Sequence, residues 1–175
     1  EFIFTDSETL DITNKENVFD FFWQNEPSFC INAAAYTAVD LAETDVEKAF
    51  LVNANGTENL AEACKEYNAQ FIHISTDYVF DGENQLPYTE DDFTNPIGVY
   101  GASKLSGEEL ALEVNPCTVI LRTSWVYSEF GKNFVKTMLN LFAIKEELGI
   151  IADQFGQPTN VNDLAQAIMK IVNSE

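Results

Sequence analysis

Short apolar runs alternate along the chain with stretches whose apolar positions recur every three or four residues. The runs are Phe2 to Phe4, Phe29 to Asn32, Phe71 to Ser75 and Thr118 to Arg122. A strand covered by helices on both faces carries such a continuous apolar run, because neither face meets water. Between the runs, Asn14 to Asn25 sets Val18, Phe19, Phe22 and Trp23 on one side of a helix. Asp45 to Tyr67 reads as one long helix with Phe50, Leu60, Ala61 and Cys64 apolar. Tyr100 to Val114, Asn133 to Glu147 and Val161 to Asn173 read as further helices. This alternation predicts an α/β fold, a Rossmann-type doubly wound parallel sheet with helices on both faces.

Such a fold opens with a strand and a Gly-rich turn that sets a pyrophosphate on a helix N-terminus. Neither G-x-x-G-x-x-G nor G-x-G-x-x-G occurs, and Phe2 to Phe4 reads as a second strand. The expectation is that the first strand and its Gly-rich turn are absent from the given sequence, and that a segment is also missing after the last helix.

Composition narrows the partners. Hydrophobic residues make up 46% of the 175, enough for a real core. With 29 acidic and 9 basic residues the formal charge is −20. Such a chain repels phosphate backbones and argues against nucleic acid. No apolar run approaches the roughly 18 residues of a membrane span, and no basic-then-apolar leader opens the chain. Cys30, Cys64 and Cys117 lack any C-x-x-C spacing. They are expected to be buried, reduced thiols of a cytoplasmic protein, with no metal and no disulfide.

Three segments carry chemistry. In Tyr100-Gly-Ala-Ser-Lys104 the spacing of four places phenol and ammonium on one helix face. A neighbouring cation lowers the pKa of a phenol and lets it exchange a proton with a carbonyl or alcohol oxygen. Alone, the motif also fits an ordinary surface helix. His73-Ile-Ser-Thr-Asp-Tyr-Val-Phe80 puts the Thr76 hydroxyl and the Asp77 carboxylate at the C-terminal end of a strand, where open parallel sheets bind ligands. A polar turn is the plain alternative. His73, inside an apolar strand, reads as a packed structural histidine. Asn32-Ala-Ala-Ala-Tyr-Thr37 offers small residues that let a flat molecule approach the backbone, or simply tight packing.

Together the three segments resemble the extended short-chain dehydrogenase/reductases, and within them the dTDP-4-dehydrorhamnose reductase family. Asn32-Ala-Ala-Ala-Tyr-Thr-Ala-Val-Asp40, Ser75-Thr-Asp-Tyr-Val-Phe80, Tyr100-Gly-Ala-Ser-Lys104, Arg122-Thr-Ser-Trp-Val-Tyr127 and Asp153-Gln-Phe-Gly-Gln-Pro-Thr159 carry the resemblance, in that order. It implies reduction of the C4 ketone of dTDP-4-dehydro-6-deoxy-L-mannose to dTDP-L-rhamnose by NADPH or NADH. It also implies that Thr76, Tyr100 and Lys104 are catalytic, and that Thr76, Asp77 and Trp125 meet the substrate. Asp11, Ile12, Ala34, Ala35, Tyr36 and Thr37 fall where the family contacts its cofactor, as do Tyr100 and Lys104. Residues 1 to 175 are then expected to form one NAD(P)-binding domain, with loops Glu83 to Asn95 and Ser128 to Pro158 belonging to the substrate region and no second independent domain. A homodimer is compatible with the resemblance. Two other readings stay open: a sugar-nucleotide dehydratase or epimerase, against which Tyr78 stands where a dehydratase carries glutamate, and a non-catalytic NADP-binding regulatory subunit like that of methionine adenosyltransferase.

Overall fold

The computed structural model describes residues 1–174 and divides into two compact units, Glu1–Arg122 and Thr123–Glu175. In the first, helix α1 (Lys15–Asn25) starts where the Asn14 side chain accepts the Asn17 N–H, satisfying a donor that the helix itself leaves unpaired. It ends at Glu26, in the left-handed region at φ 44°. Strand β1 (Phe29–Asn32) pairs in parallel with β2 (Gln70–Thr76), Phe29 opposite Gln70 and Asn32 opposite His73. β3 (Val119–Thr123) lies on the other side of β2, giving the order β1-β2-β3.

The connection from β1 to β2 carries α2 (Val39–Ala42), α3 (Val46–Phe50), a π-helical turn (Leu51–Asn55) and α4 (Gly56–Glu66). The single helix expected over 45–67 is therefore widened at its centre. After β2, a 3-10 turn (Asp77–Val79) and a loop lead to α5 (Val99–Val114). Phe71 and Ile72 of β2 and Leu60, Ala61 and Cys64 of α4 are all buried, as are Val18 and Phe22 of α1. Each large apolar side chain so buried contributes roughly 1.5–3 kcal/mol.

Two expectations fail here. Phe2 to Phe4 is not a strand: its side chains are exposed and it does not join the sheet, whose edge is β1. Cys117 is exposed, whereas Cys64 is buried and Cys30 half-buried; all three are free thiols.

In the second unit, β4 (Val126–Tyr127) pairs in parallel with β5 (Thr159–Asn160), and α6 (Phe134–Phe142) and α7 (Val161–Val172) complete it. α6 stops five residues before the expected Glu147. Ile144 beyond it is exposed, so extending the helix would bury nothing. Among the described residues no helix is long and apolar enough to cross a membrane.

Candidate active site

The chemistry gathers where β2 ends. Thr76 is the last residue of the strand and is buried. Its hydroxyl accepts the Tyr78 N–H at 3.2 Å and donates to Asp77 Oδ1 at 3.2 Å, which opens the 3-10 turn. Helix α5 begins beside that turn. The Glu43 carboxylate accepts the Val99 N–H at 2.8 Å and so caps the helix from outside it. Gly101 lies so close to the Tyr78 carbonyl that a Cβ would collide with it. This approach sets the Tyr100 ring edge-on to Tyr78, with centroids 5.6 Å apart.

Tyr100 is half-buried, and burial raises its phenol above the ordinary pKa; a hydrogen bond with Thr76 works the other way, while Asp77 and Tyr78 push it up again. The expected lowering by Lys104 is thus not seen at the phenol. Lys104 is buried, and its Nζ donates to the Ile74 carbonyl at 2.7 Å and lies 3.2 Å from His73 Nε2. Burial brings its pKa down to about 8, with Glu108 opposing the shift. Glu108 itself is held by Arg122, whose Nη2 donates at 2.6 Å and whose Nε donates to both carboxylate oxygens. Burial, and then the nearness of Lys104, brings His73 to about 3, so its ring is neutral. Asp77 is raised by burial.

The segment after β1 is held from below. Asn53, buried in the π turn, accepts the Tyr36 N–H at 2.8 Å and donates to the Tyr36 carbonyl at 3.1 Å and to Ser103 Oγ at 3.0 Å. One side chain thus ties the Ala34–Thr37 segment to α5. Ala33, Ala34 and Thr37 are exposed, Ala35 half-buried. The Tyr36 phenol donates to Asp45 at 3.2 Å, with the Lys48 ammonium over its ring, so its side chain turns toward α3. Asp11 accepts from the Thr13 N–H and hydroxyl in a local turn. Ile12 is fixed to α4: its carbonyl accepts from Asn59 at 2.9 Å and its side chain covers Gly56.

Trp125 belongs to the second unit. It is the one non-glycine residue there with positive φ, 47°, among the described residues, and backbone held in that region is strained. Its indole lies over Gly156, where a Cβ would come within 2.6 Å of the ring, and near Phe134. Among the described residues no group of His, Cys, Asp and Glu side chains is placed to hold a metal ion. The sequence reading missed the Lys104–His73 link. Its only signal was one polar ring inside an apolar strand, three residues before Thr76.

A family model described as the RmlD substrate binding domain matches residues 1–175. The chain belongs to this family. A dTDP-4-dehydrorhamnose reductase of Aggregatibacter actinomycetemcomitans is 48% identical over 171 residues, 98% of this chain and 58% of that protein. The crystal structure of a dTDP-4-dehydrorhamnose reductase from Clostridium acetobutylicum superposes with a TM-score of 0.97 at 46% identity, covering 99% of this chain and 62% of that one. That of the Bacillus anthracis reductase in complex with NADP gives 0.94 at 43% identity, covering 96% and 60%. The α/β, Rossmann-like fold is common to them. The chain thus spans little more than half the length of these RmlD-family relatives.

Proposed function

We propose that the chain is the catalytic part of an NAD(P)H-dependent reductase that converts dTDP-4-dehydro-6-deoxy-L-mannose to dTDP-L-rhamnose, acting in the cytoplasm on a dTDP-sugar partner. The observation that carries this reading is the convergence of the Thr76 hydroxyl, the Tyr100 phenol and the Lys104 amine at the C-terminal end of β2. The relatives' name and the NADP bound by one of them support it.

The residues present fit a nicotinamide cofactor. Exposed Ala33 and Ala34 leave the backbone after β1 open to close approach, and Lys104 is linked to that segment through His73 and Asn32. Ala35, Tyr36 and Thr37 would line it through their backbone, with Asp11 and Ile12 toward its adenine. When bound, the cofactor supplies the hydride. The chain's own residues supply the proton and aim the ketone. Reduction needs an acid that is still protonated at neutral pH, and burial keeps Tyr100 so. Its proton passes to the ketone oxygen as charge develops there. The Thr76 hydroxyl, which donates to Asp77 in the free protein, turns to donate to the same oxygen. Asp77 is then free to accept from a sugar hydroxyl. The family resemblance assigns Trp125 a contact with the sugar nucleotide as well.

The test adds dTDP-4-dehydro-6-deoxy-L-mannose to the full-length protein with NADPH or NADH. Loss of reduced-nicotinamide absorbance with dTDP-L-rhamnose as product is expected. Bound cofactor with no consumption would contradict the reading and favour a binding subunit.

A further inference from the structure

Two backbone groups fix the polarity of a buried hydrogen-bond chain that ends at Lys104. Asn32 Oδ1 accepts the Ala34 N–H at 3.0 Å, so the other end of that amide must be its NH2. A second anchor agrees. The Thr57 hydroxyl spends its proton on the Asn53 carbonyl at 2.8 Å and therefore presents a lone pair to Asn32 Nδ2 at 3.3 Å. Turning the amide over would set donor against donor at Ala34 and lone pair against lone pair at Thr57.

Asn32 Nδ2 also lies 3.1 Å from His73 Nδ1. With Nδ2 a donor, Nδ1 must accept, so the proton of the neutral ring sits on Nε2. That N–H points at Lys104 Nζ, 3.2 Å away. An ammonium has three N–H groups and no lone pair. An ammonium there would face a second donor, whereas a neutral amine accepts from His73 and donates to the Ile74 carbonyl. Asn32, Thr57, His73 and Lys104 are all buried, so a donor–donor clash among them would go unrelieved by water.

We infer that His73 is a positioning residue for Lys104: its Nε2 proton donates to the lysine nitrogen and favours the neutral amine over the ammonium in the ligand-free protein. Of the charged and titratable groups around the pair, one works against the neutral form. On α5, Glu108 favours the ammonium although it is paired with Arg122 of β3, and Tyr100 is a phenol. Asp77 and Tyr78 follow β2, with the Asp77 carboxyl bonded to Thr76. The π turn and α4 present Asn53 and Thr57, which carry no charge. The lysine charge that would lower the Tyr100 pKa must therefore displace the His73 N–H before it forms. The part assigned to Lys104 in turnover rests on the reductase reading, whereas the polarity of the chain does not.

The test is the tautomer of His73, read by long-range proton–nitrogen NMR on ligand-free wild-type protein at neutral pH, with His73→Leu used only to assign the signals. A protonated Nε2 with a bare Nδ1 is expected; a protonated Nδ1 or an imidazolium overturns the inference. A second reading follows the Lys104 ε-carbon with pH, assigned by its loss in Lys104→Met. Loss of the histidine donor in His73→Leu should raise the lysine midpoint, and a fall or no change overturns the inference. Should His73→Leu not fold, the wild-type tautomer decides alone. Failure of sugar turnover with the expected tautomer would refute the reductase reading and leave this one standing.

Discussion

A histidine at the centre of an apolar strand is held neutral far below its ordinary range, and this has a consequence for stability. The His73 pKa falls from 6.5 to about 3, burial being the larger cause and the nearness of Lys104, which takes on a charge as the solution is acidified, the second. The unfolded chain therefore binds a proton between those values that the folded chain refuses. Stability from this residue is complete above pH 6.5 and drains away as pH falls toward 3. Urea midpoints across that range should show wild type losing its advantage over His73→Gln as the solution is acidified. A gap that stays constant would mean that His73 ionises freely in the fold. The same residue marks where the sequence was hardest to read. Its burial was legible from its apolar neighbours, but its partner lies 31 positions on, in α5, and no local spacing announces such a contact.

Among the elements, the longer strands and helices were legible because each has its own apolar period, and most of their boundaries fall within a residue or two, whereas short α2, β4 and β5 carry too few residues for a period to show. The π turn at 51–55 was not legible. The periodicity of 45–67 runs through it unbroken, while its cause is tertiary: Asn53 must reach both Tyr36 and Ser103. The close seat of α5 is also tertiary. Gly101 gives the helix its approach to the 3-10 turn, and Gly101→Ala should force the two apart at a cost of about 1–3 kcal/mol. Turnover should fall with stability, since Tyr100 rides on that turn of helix. Gly149→Ala, whose Cβ would meet nothing, is the control in a thermal melt. Equal melting temperatures for the two would show that the helix yields without strain.

Over the whole molecule, a formal charge of −20 on 175 residues sets carboxylates against one another. The repulsion opposes compaction and is screened by salt, whereas the partly buried Glu108–Arg122 pair is screened much less. Raising sodium chloride from about 0.05 to about 0.5 M should therefore lift the melting temperature by a few degrees. A fall would mean that surface attraction outweighs repulsion. The Rossmann-like plan was visible in the alternation of apolar runs and helical periods. The apolar pattern continues without a break across 122/123, where the two compact units meet in sequence.

The proposed proton-donating site of Thr76, Tyr100 and Lys104 is tested most directly by replacement of the Tyr100 phenol. Tyr100→Phe removes one oxygen from a half-buried ring and leaves its edge-on contact with Tyr78 in place. NAD(P)H consumption with dTDP-4-dehydro-6-deoxy-L-mannose should fall about 10²–10⁴-fold, while cofactor binding, followed by nicotinamide fluorescence, stays near that of wild type. A variant that binds the cofactor and turns over at nearly the wild-type rate would show that the proton comes from elsewhere.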